Sequence, residues 1–296
     1  MLRIKSRTVR KRRFIESSRL YDVPWLLTQS ALRELVLSHQ AAAVARSDDF
    51  EDDEIDAEYP IDGEGIACLT ISGVLTKSRY WSTTSYSDIA VDMQHALQND
   101  RVKAILLAVH SPGGETGDLF DLADAIYSAR QIKPIVAVAS DDCYSAAYCL
   151  ASSAEKLFVT RTGGTGSIGA WTAHSDYSGA LQQSGISIQY VYAGARKIDA
   201  NPTQPLSAPA RATLQNEVDR IRELFAQTVS RNRNVSKDSL LRTEGATFMA
   251  GAGVPLLVLR PRKRVPMVAE RLTRFLAGES PVDGDLVAVH SAVPSF

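Results

Sequence analysis

Apolar residues in this chain fall into two alternating patterns: short unbroken runs, and stretches where they recur every three or four positions. Ile66–Ile71, Ala104–Val109, Ile135–Ala139 and Lys156–Thr160 are runs of the first kind. Strands that are apolar on both faces belong to a sheet covered on both sides. Ser87–Asn99, the stretch through Leu119, Leu122, Ala123 and Ile126, and Ala146–Ser153 carry helical spacing between those runs. The order strand, helix, strand, helix predicts crossover units around a parallel sheet, an α/β class. Further on, Ala170–His174 reads as extended, Ser178–Gly185 as a short helix and Ile188–Tyr192 as another strand. Ala210–Asn232 is predicted to be the longest helix, with Leu214, Val218, Ile221, Leu224, Phe225 and Val229 on one stripe.

The ends of the chain pattern differently. Tyr21–Arg46 carries Trp25, Leu26, Leu32, Leu35 and Val36 near helical spacing, which predicts a short amphipathic docking helix. Asp48–Glu58 is acidic with few apolar residues and reads as a linker, so residues 21–58 form a docking helix and linker, and the folded domain is expected over residues 59–250. Residues 1–20 are basic and read as a disordered tail.

Charge and cysteine content narrow the function classes. A net charge of −1 gives no argument for nucleic acid or an anionic membrane as partner. No apolar run approaches the roughly 20 residues needed to span a bilayer, and no signal-peptide core follows the basic start. A cytoplasmic protein is therefore expected. Cys68, Cys143 and Cys149 show no metal spacing and read as reduced, buried thiols, so no metal and no cofactor is expected. The glycine-rich turn Gly163–Gly169 lacks the Lys-Ser/Thr of a phosphate-binding loop and departs from the dinucleotide fingerprint.

The candidate chemistry centres on Asp142–Tyr148, where Ser145 stands among small residues between a strand and a helix. A hydroxyl there sits beside free backbone N–H groups that receive developing negative charge, so Ser145 is a candidate nucleophile. An arbitrary serine after a strand more often just caps its helix. Ser111-Pro112-Gly113-Gly114 also follows a strand and opens a helix. Its paired glycines allow close backbone approach, making Gly114, and secondarily Gly113, a candidate oxyanion donor beside the N–H of Ala146. Lys197 follows a predicted strand and a Gly-Ala turn. A lysine deprotonates a serine only where burial has lowered its pKa; otherwise it is a surface charge.

These residues resemble peptidase family S49, the signal peptide peptidase A-like proteases, and within it the bacteriophage prohead and capsid maturation branch. The resemblance runs from about Leu20 to Met249 through Ile71–Val74, Ser111–Gly114, Tyr144–Ala147, Thr165–Gly169 and Gly194–Lys197. It implies a ClpP/crotonase-like fold with a parallel sheet and crossover helices. It also implies a serine endopeptidase with a Ser145–Lys197 dyad that processes phage scaffold or capsid proteins in the host cytoplasm or prohead. Substrates would then be proteins, added as an extended strand along the glycine-rich edges. A homo-oligomer whose neighbouring subunits complete the cleft is implied too, along with contact to portal or capsid.

Three alternatives remain open. His174, with Asp176 or Asp199, would build a Clp-like triad with Ser145. A crotonase-type site would need only the two backbone donors. A structural capsid- or portal-associated protein with an inactive protease core is the third, motivated by the C-terminus. There Val254–Arg264 is a proline-bounded basic run in place of the alanine-rich helix expected of relatives, which makes residues 251–296 an atypical tail of frameshift-like character.

Overall fold

The computed structural model describes residues 24–28, 30, 31, 33, 35, 59–80, 83–160 and 162–249 of the 296-residue chain. The basic tail, the acidic linker and the C-terminal tail lie outside the described residues.

The strands β2 (Ile66–Ser72), β5 (Ala104–Ser111), β7 (Ile135–Tyr144) and β8 (Lys156–Val159) form where the apolar runs predict them. β2, β5, β7 and β8 pair in parallel. The helices α1 (Tyr86–Gln98), α2 (Leu119–Ala129) and α3 (Ala146–Ser152) link them. Ser85 caps α1 by accepting a hydrogen bond from the Asp88 N–H at 3.1 Å. Ile89, Met93, Leu122 and Ile126 turn inward from α1 and α2 onto Leu69, Ile105 and Leu107 of the sheet. The α/β class with a largely parallel sheet and crossover helices is therefore present.

Two features exceed the sequence pattern. β7 runs to Tyr144, and its two halves take different neighbours: Val136–Ala139 pair with β8, while Asp142–Tyr144 pair with β9 (Gly164–Gly166). β9 in turn pairs antiparallel with β10 (Thr247–Met249). The register between β5 and β7 shifts between Val109 and Ser111, a break in the ladder just ahead of Ser145.

The second feature is a separate four-stranded sheet, ordered β1-β6-β3-β4, of β1 (Trp25–Leu27), β3 (Val74–Thr76), β4 (Thr83–Ser85) and β6 (Gly113–Glu115). β6 follows β5 across Pro112, so one chain segment carries the glycine pair out of the large sheet and into the small one. Here the predicted docking helix is corrected. Trp25–Leu27 is a strand, and the described residues Ser30, Ala31, Arg33 and Leu35 after it are helical. Trp25 and Leu27 pack with Ala31, Leu35 and Tyr80. Leu26, on the opposite face of the strand, enters the main core. The folded unit thus recruits residues well ahead of Tyr59.

The longest helix, α5 (Ala208–Arg233), lies where expected and closes one side of the core through Ile221, Phe225 and Val229. It is tied to the end of α3 by Asn232, whose amide donates to Ser152 Oγ at 3.0 Å and Ser153 Oγ at 2.9 Å. α4 (Ser178–Gln183) precedes it and α6 (Lys237–Leu241) follows it. The predicted strand Ile188–Tyr192 does not form. That stretch is irregular, and Ile186, Ile188, Val191 and Tyr192 are exposed, Val191 completely so at 102%. Among the described residues no helix is long and apolar enough to cross a membrane.

Candidate active site

Ser145 is the residue where β7 turns into α3. Its backbone adopts φ 56°, ψ −121°, a left-handed conformation rare outside glycine and costly for a residue with a Cβ. The Ser145 N–H donates to the Gly166 carbonyl at 2.8 Å, and its carbonyl accepts from the Cys149 N–H at 3.0 Å. The turn is held on both sides, and the strain is retained by what surrounds it. Strand, strained serine, helix is the geometry that thrusts a nucleophile out of a sheet. The hydroxyl makes no capping hydrogen bond to α3. It is buried, with the residue 1% exposed and Oγ without a hydrogen-bond partner. The simple helix-capping role is therefore excluded by geometry.

Gly113 lies directly against Ser145. Its φ is +109°, and a methyl group on it would stand 2.9 Å from Ser145 Cβ and 2.2 Å from the Leu26 carbonyl oxygen. Only glycine fits. Gly114 is equally confined, since a methyl there would meet the Leu75 carbonyl oxygen at 1.9 Å. The Gly113 N–H donates to Ser111 Oγ at 3.2 Å, so the first residue of Ser111–Gly114 orients the third. The Ala146 amide opens α3, in a helical turn whose N–H groups have no intrahelical acceptor. Gly113 thus lies against Ser145 with its N–H taken by Ser111 Oγ, Gly114 follows it in β6 and Ala146 follows Ser145 in α3, which leaves the N–H groups of Gly114 and Ala146 as the candidate oxyanion donors.

Neither candidate base is hydrogen-bonded to Ser145 Oγ. Lys197 is exposed in the turn 195–200, where its N–H donates to the Gly194 carbonyl at 2.9 Å. Among the described residues no apolar pocket surrounds it, where the sequence suggested an interior loop. His174 Nε2 is buried and, like Ser145 Oγ, has no hydrogen-bond partner, so the two are not bonded to each other. Asp176 is held below the usual carboxylate range by hydrogen bonds from Ser178, and Asp199 forms a surface ion pair with Arg196. Neither acid orients His174 through a hydrogen bond found here. Among the described residues no cluster of three or more His, Cys, Asp or Glu could hold a metal.

The ground around Ser145 disfavours charge. Burial pushes the thiols of Cys143 and Cys149 well up, and pushes the Tyr148 hydroxyl to about 12. Burial, then Asp141, raises the Asp142 carboxyl, while His110 opposes them. An oxyanion formed here would find few solvent dipoles, so backbone donors carry its stabilisation.

Two participants escape sequence reasoning. Trp25–Leu27 lies antiparallel on β6, with Leu26 opposite Gly114 and Leu27 opposite Gly113. Trp171 holds the other edge of that strand: the Trp25 N–H donates to the Trp171 carbonyl at 2.8 Å, and the Trp171 N–H donates to the Trp25 carbonyl at 3.1 Å. The Trp171 indole N–H also donates to the Leu27 carbonyl at 3.0 Å, and the two indoles stack at 6.5 Å. Pro24 ahead of a bulky apolar triplet was the available signal; it suits a strand start better than a helix interior.

Comparison with known proteins bears out the family resemblance. The model of peptidase family S49 matches residues 128–256, a span that contains both Ser145 and Lys197. The chain is 41% identical over 189 residues to capsid assembly protease C of Escherichia phage lambda, covering 62% of this chain and 43% of that protein. It is 37% identical over 195 residues to head-tail preconnector protein GP5 of Enterobacteria phage P21, covering 64% of this chain and 39% of that protein. A putative signal peptide peptidase SppA of Enterococcus faecium is 25% identical over 181 residues, covering 59% of this chain and 53% of that one. The chain spans less than half the length of either phage relative. Among solved structures, a ClpP1 variant of Listeria monocytogenes superposes with a TM-score of 0.37 at 14% identity, covering 61% of this chain and 80% of that one.

Proposed function

We propose, from a core that matches peptidase family S49, that this chain is a serine endopeptidase acting on phage scaffold or capsid proteins during head assembly. Ser145 is its nucleophile and Lys197 its general base. The observation that carries the reading is the strained Ser145 turn, whose hydroxyl is buried and unpartnered and whose Cβ lies against Gly113. Ser145 Oγ attacks the scissile carbonyl while lysine takes its proton and later passes it to the leaving amine. The N–H groups of Gly114 and Ala146, with Gly113 beside them, receive the oxyanion. An extended substrate adds as a strand to the glycine edge of β6.

Lys197 is exposed and makes no hydrogen bond to Ser145 Oγ of its own chain, and the segment leading to it exposes Ile186, Ile188, Val191 and Tyr192. Apolar side chains of that size are normally covered. In this reading the covering surface is a second copy, which receives Lys197 beside its own Ser145. The functional unit is then a homo-oligomer in the host cytoplasm or prohead, and contact with portal or capsid belongs to the same proposal.

Coexpression with the neighbouring scaffold or capsid gene tests it. Processing is expected in wild type and lost in Ser145→Ala and in Lys197→Ala. Coexpressing the two inactive chains restores about a quarter of the sites if each dyad is shared between copies, and none if it forms within one chain. Processing that survives both single substitutions eliminates the dyad. Loss in His174→Ala with Lys197→Ala active assigns the base to histidine, which the unpartnered Nε2 makes the specific competitor. A properly assembled head without any cleavage would favour the structural-protein reading.

A further inference from the structure

β1 sits where the proposed substrate strand must add. Trp25 turns its N–H and carbonyl to Trp171, so by strand alternation Leu26 turns its own to β6, opposite Gly114. The next residue facing that way, Thr28, donates its N–H to the Pro112 carbonyl at 3.2 Å. The Leu26 carbonyl oxygen and Ser145 Cβ lie against the same side of Gly113. The Leu26 side chain fills a place in the main core, while Trp25 and Leu27 cover the outside. β6 is flanked by β1 on one edge and β3 on the other, which leaves no edge of it open in the described structure.

We infer that β1 is a resident stand-in for substrate: it occupies the strand position across Ser145, and a substrate enters by displacing it. The inference rests on the proposed peptidase reading for its meaning, but the occupancy itself is a binding property. Its physical basis is threefold. An antiparallel strand on the glycine edge uses the same backbone groups a substrate would use. Its central carbonyl lies against the glycine proposed to border the oxyanion. Its central residue meets Gly113 on the side where Ser145, itself 1% exposed, also lies. The occupant also reports what the slot accepts, an extended segment with an aliphatic side chain at the Leu26 position and bulky apolar side chains on either side. Substrates of that class compete with β1, and polar or glycine-rich segments do not.

The test uses the full chain. A fluorescein-labelled peptide spanning residues 23–28 (Val-Pro-Trp-Leu-Leu-Thr) is titrated into wild type, Trp171→Phe and Thr28→Pro, and binding is read by anisotropy. Trp171→Phe removes the indole N–H that holds Leu27 and shrinks the ring stacked on Trp25, and Thr28→Pro removes the N–H that holds the strand's end together with the hydroxyl bonded to Ser30 Oγ; both loosen β1. Each variant is expected to bind the peptide about tenfold more tightly than wild type, because a weakened resident strand vacates the slot more often. The same peptide with aspartate at the Leu26 position is expected not to bind. Equal affinity in wild type and both variants, with near-ultraviolet circular dichroism unchanged, would overturn the inference.

Hydrogen exchange on the wild type gives a second reading that depends on no variant. The amides of Leu26 and Thr28 are expected to exchange at least about tenfold faster than those of Leu106–Val109 in β5, through a local opening. Exchange at the same rate, showing that β1 leaves only on global unfolding, would also overturn it. Neither measurement needs catalysis, so failure of the peptidase reading, seen as no reaction of Ser145 with a fluorophosphonate, is distinguishable from failure of this one.

Discussion

Ser145→Ala is expected to raise stability while abolishing hydrolysis, and the size of the effect follows from the hydroxyl's surroundings. Oγ is buried without a hydrogen-bond partner and gives no capping bond to α3, so its removal costs no interaction. An unsatisfied buried hydroxyl carries a desolvation penalty of about 1–3 kcal/mol. Alanine retains the Cβ and hence the backbone strain, so the gain is the hydroxyl's alone, about 1–2 kcal/mol. For a chain of this size that is a rise in Tm of about 2–6 °C. Ser145→Gly should add relief of the φ 56° conformation, about 1–3 kcal/mol, offset by about 0.5–1 kcal/mol of glycine's extra freedom in the unfolded chain. The expected order of stability is glycine, then alanine, then serine. Thermal unfolding by circular dichroism at one fixed protein concentration, checked by urea titration, gives the comparison. A fall in Tm on Ser145→Ala would show that the hydroxyl is hydrogen-bonded in solution and refute the argument.

Gly114→Ala brings a methyl to 1.9 Å from the Leu75 carbonyl oxygen and should destabilise by about 3 kcal/mol or leave the chain insoluble; a urea midpoint near wild type would show that the β3–β6 contact gives way. Asn232→Ala strips Ser152 and Ser153 of their shared donor and should cost about 1–3 kcal/mol, measured by the same titration. Burial pushes the Cys68 thiol from 9.0 to about 11, with Asp62 adding to it, and the Tyr148 hydroxyl from 10.0 to about 12. Both groups are neutral when protonated and hold their protons more tightly when folded. Their contribution is whole below about pH 9 and is lost as pH rises towards 12, so the urea midpoint should fall in that window and fall less steeply in Cys68→Val. Val191→Asp is within about 0.5 kcal/mol of neutral for a lone chain, because the side chain is fully exposed, but should break a self-association that covers it. Sedimentation velocity showing the same mass for variant and wild type would remove Val191 from any interface.

The parts of the site built from local chemistry were legible in the sequence. Ser145 and Gly113–Gly114 each follow an apolar run and stand among small residues. Ser145 forms the strand-to-helix turn that pattern predicts, whereas Gly113–Gly114 do not open a helix: they run on into strand β6, and α2 begins only at Leu119. The strained backbone of Ser145 was not legible, because a positive φ at a serine is imposed by the Gly166 carbonyl and by Gly113 rather than by any local propensity. Trp25–Leu27 misled for a related reason. Its spacing with Leu32 and Leu35 imitates a helix, but three residues of strand are decided by the partners waiting on β6 and at Trp171, which lie about ninety and one hundred and fifty positions away.

Ile188–Tyr192 shows the opposite failure, and it bears on the base. A run rich in β-branched and aromatic residues ahead of Gly194 has the composition of a strand, yet a strand needs a neighbouring edge as well as a favourable sequence. Among the described strands none pairs with this run, so it stays irregular with its apolar groups turned outward. Composition and environment therefore disagree at the same segment that delivers Lys197 to the surface instead of to an apolar pocket. One condition resolves both conflicts: an edge and an apolar cover supplied by another copy would satisfy the run's strand preference and desolvate the lysine that follows it. The Ser145 turn is complete within one chain because its strain is held by that chain's own backbone. The surroundings of Lys197, the proposed base, are not, and the pattern of the sequence around it reads as though the missing surface were present.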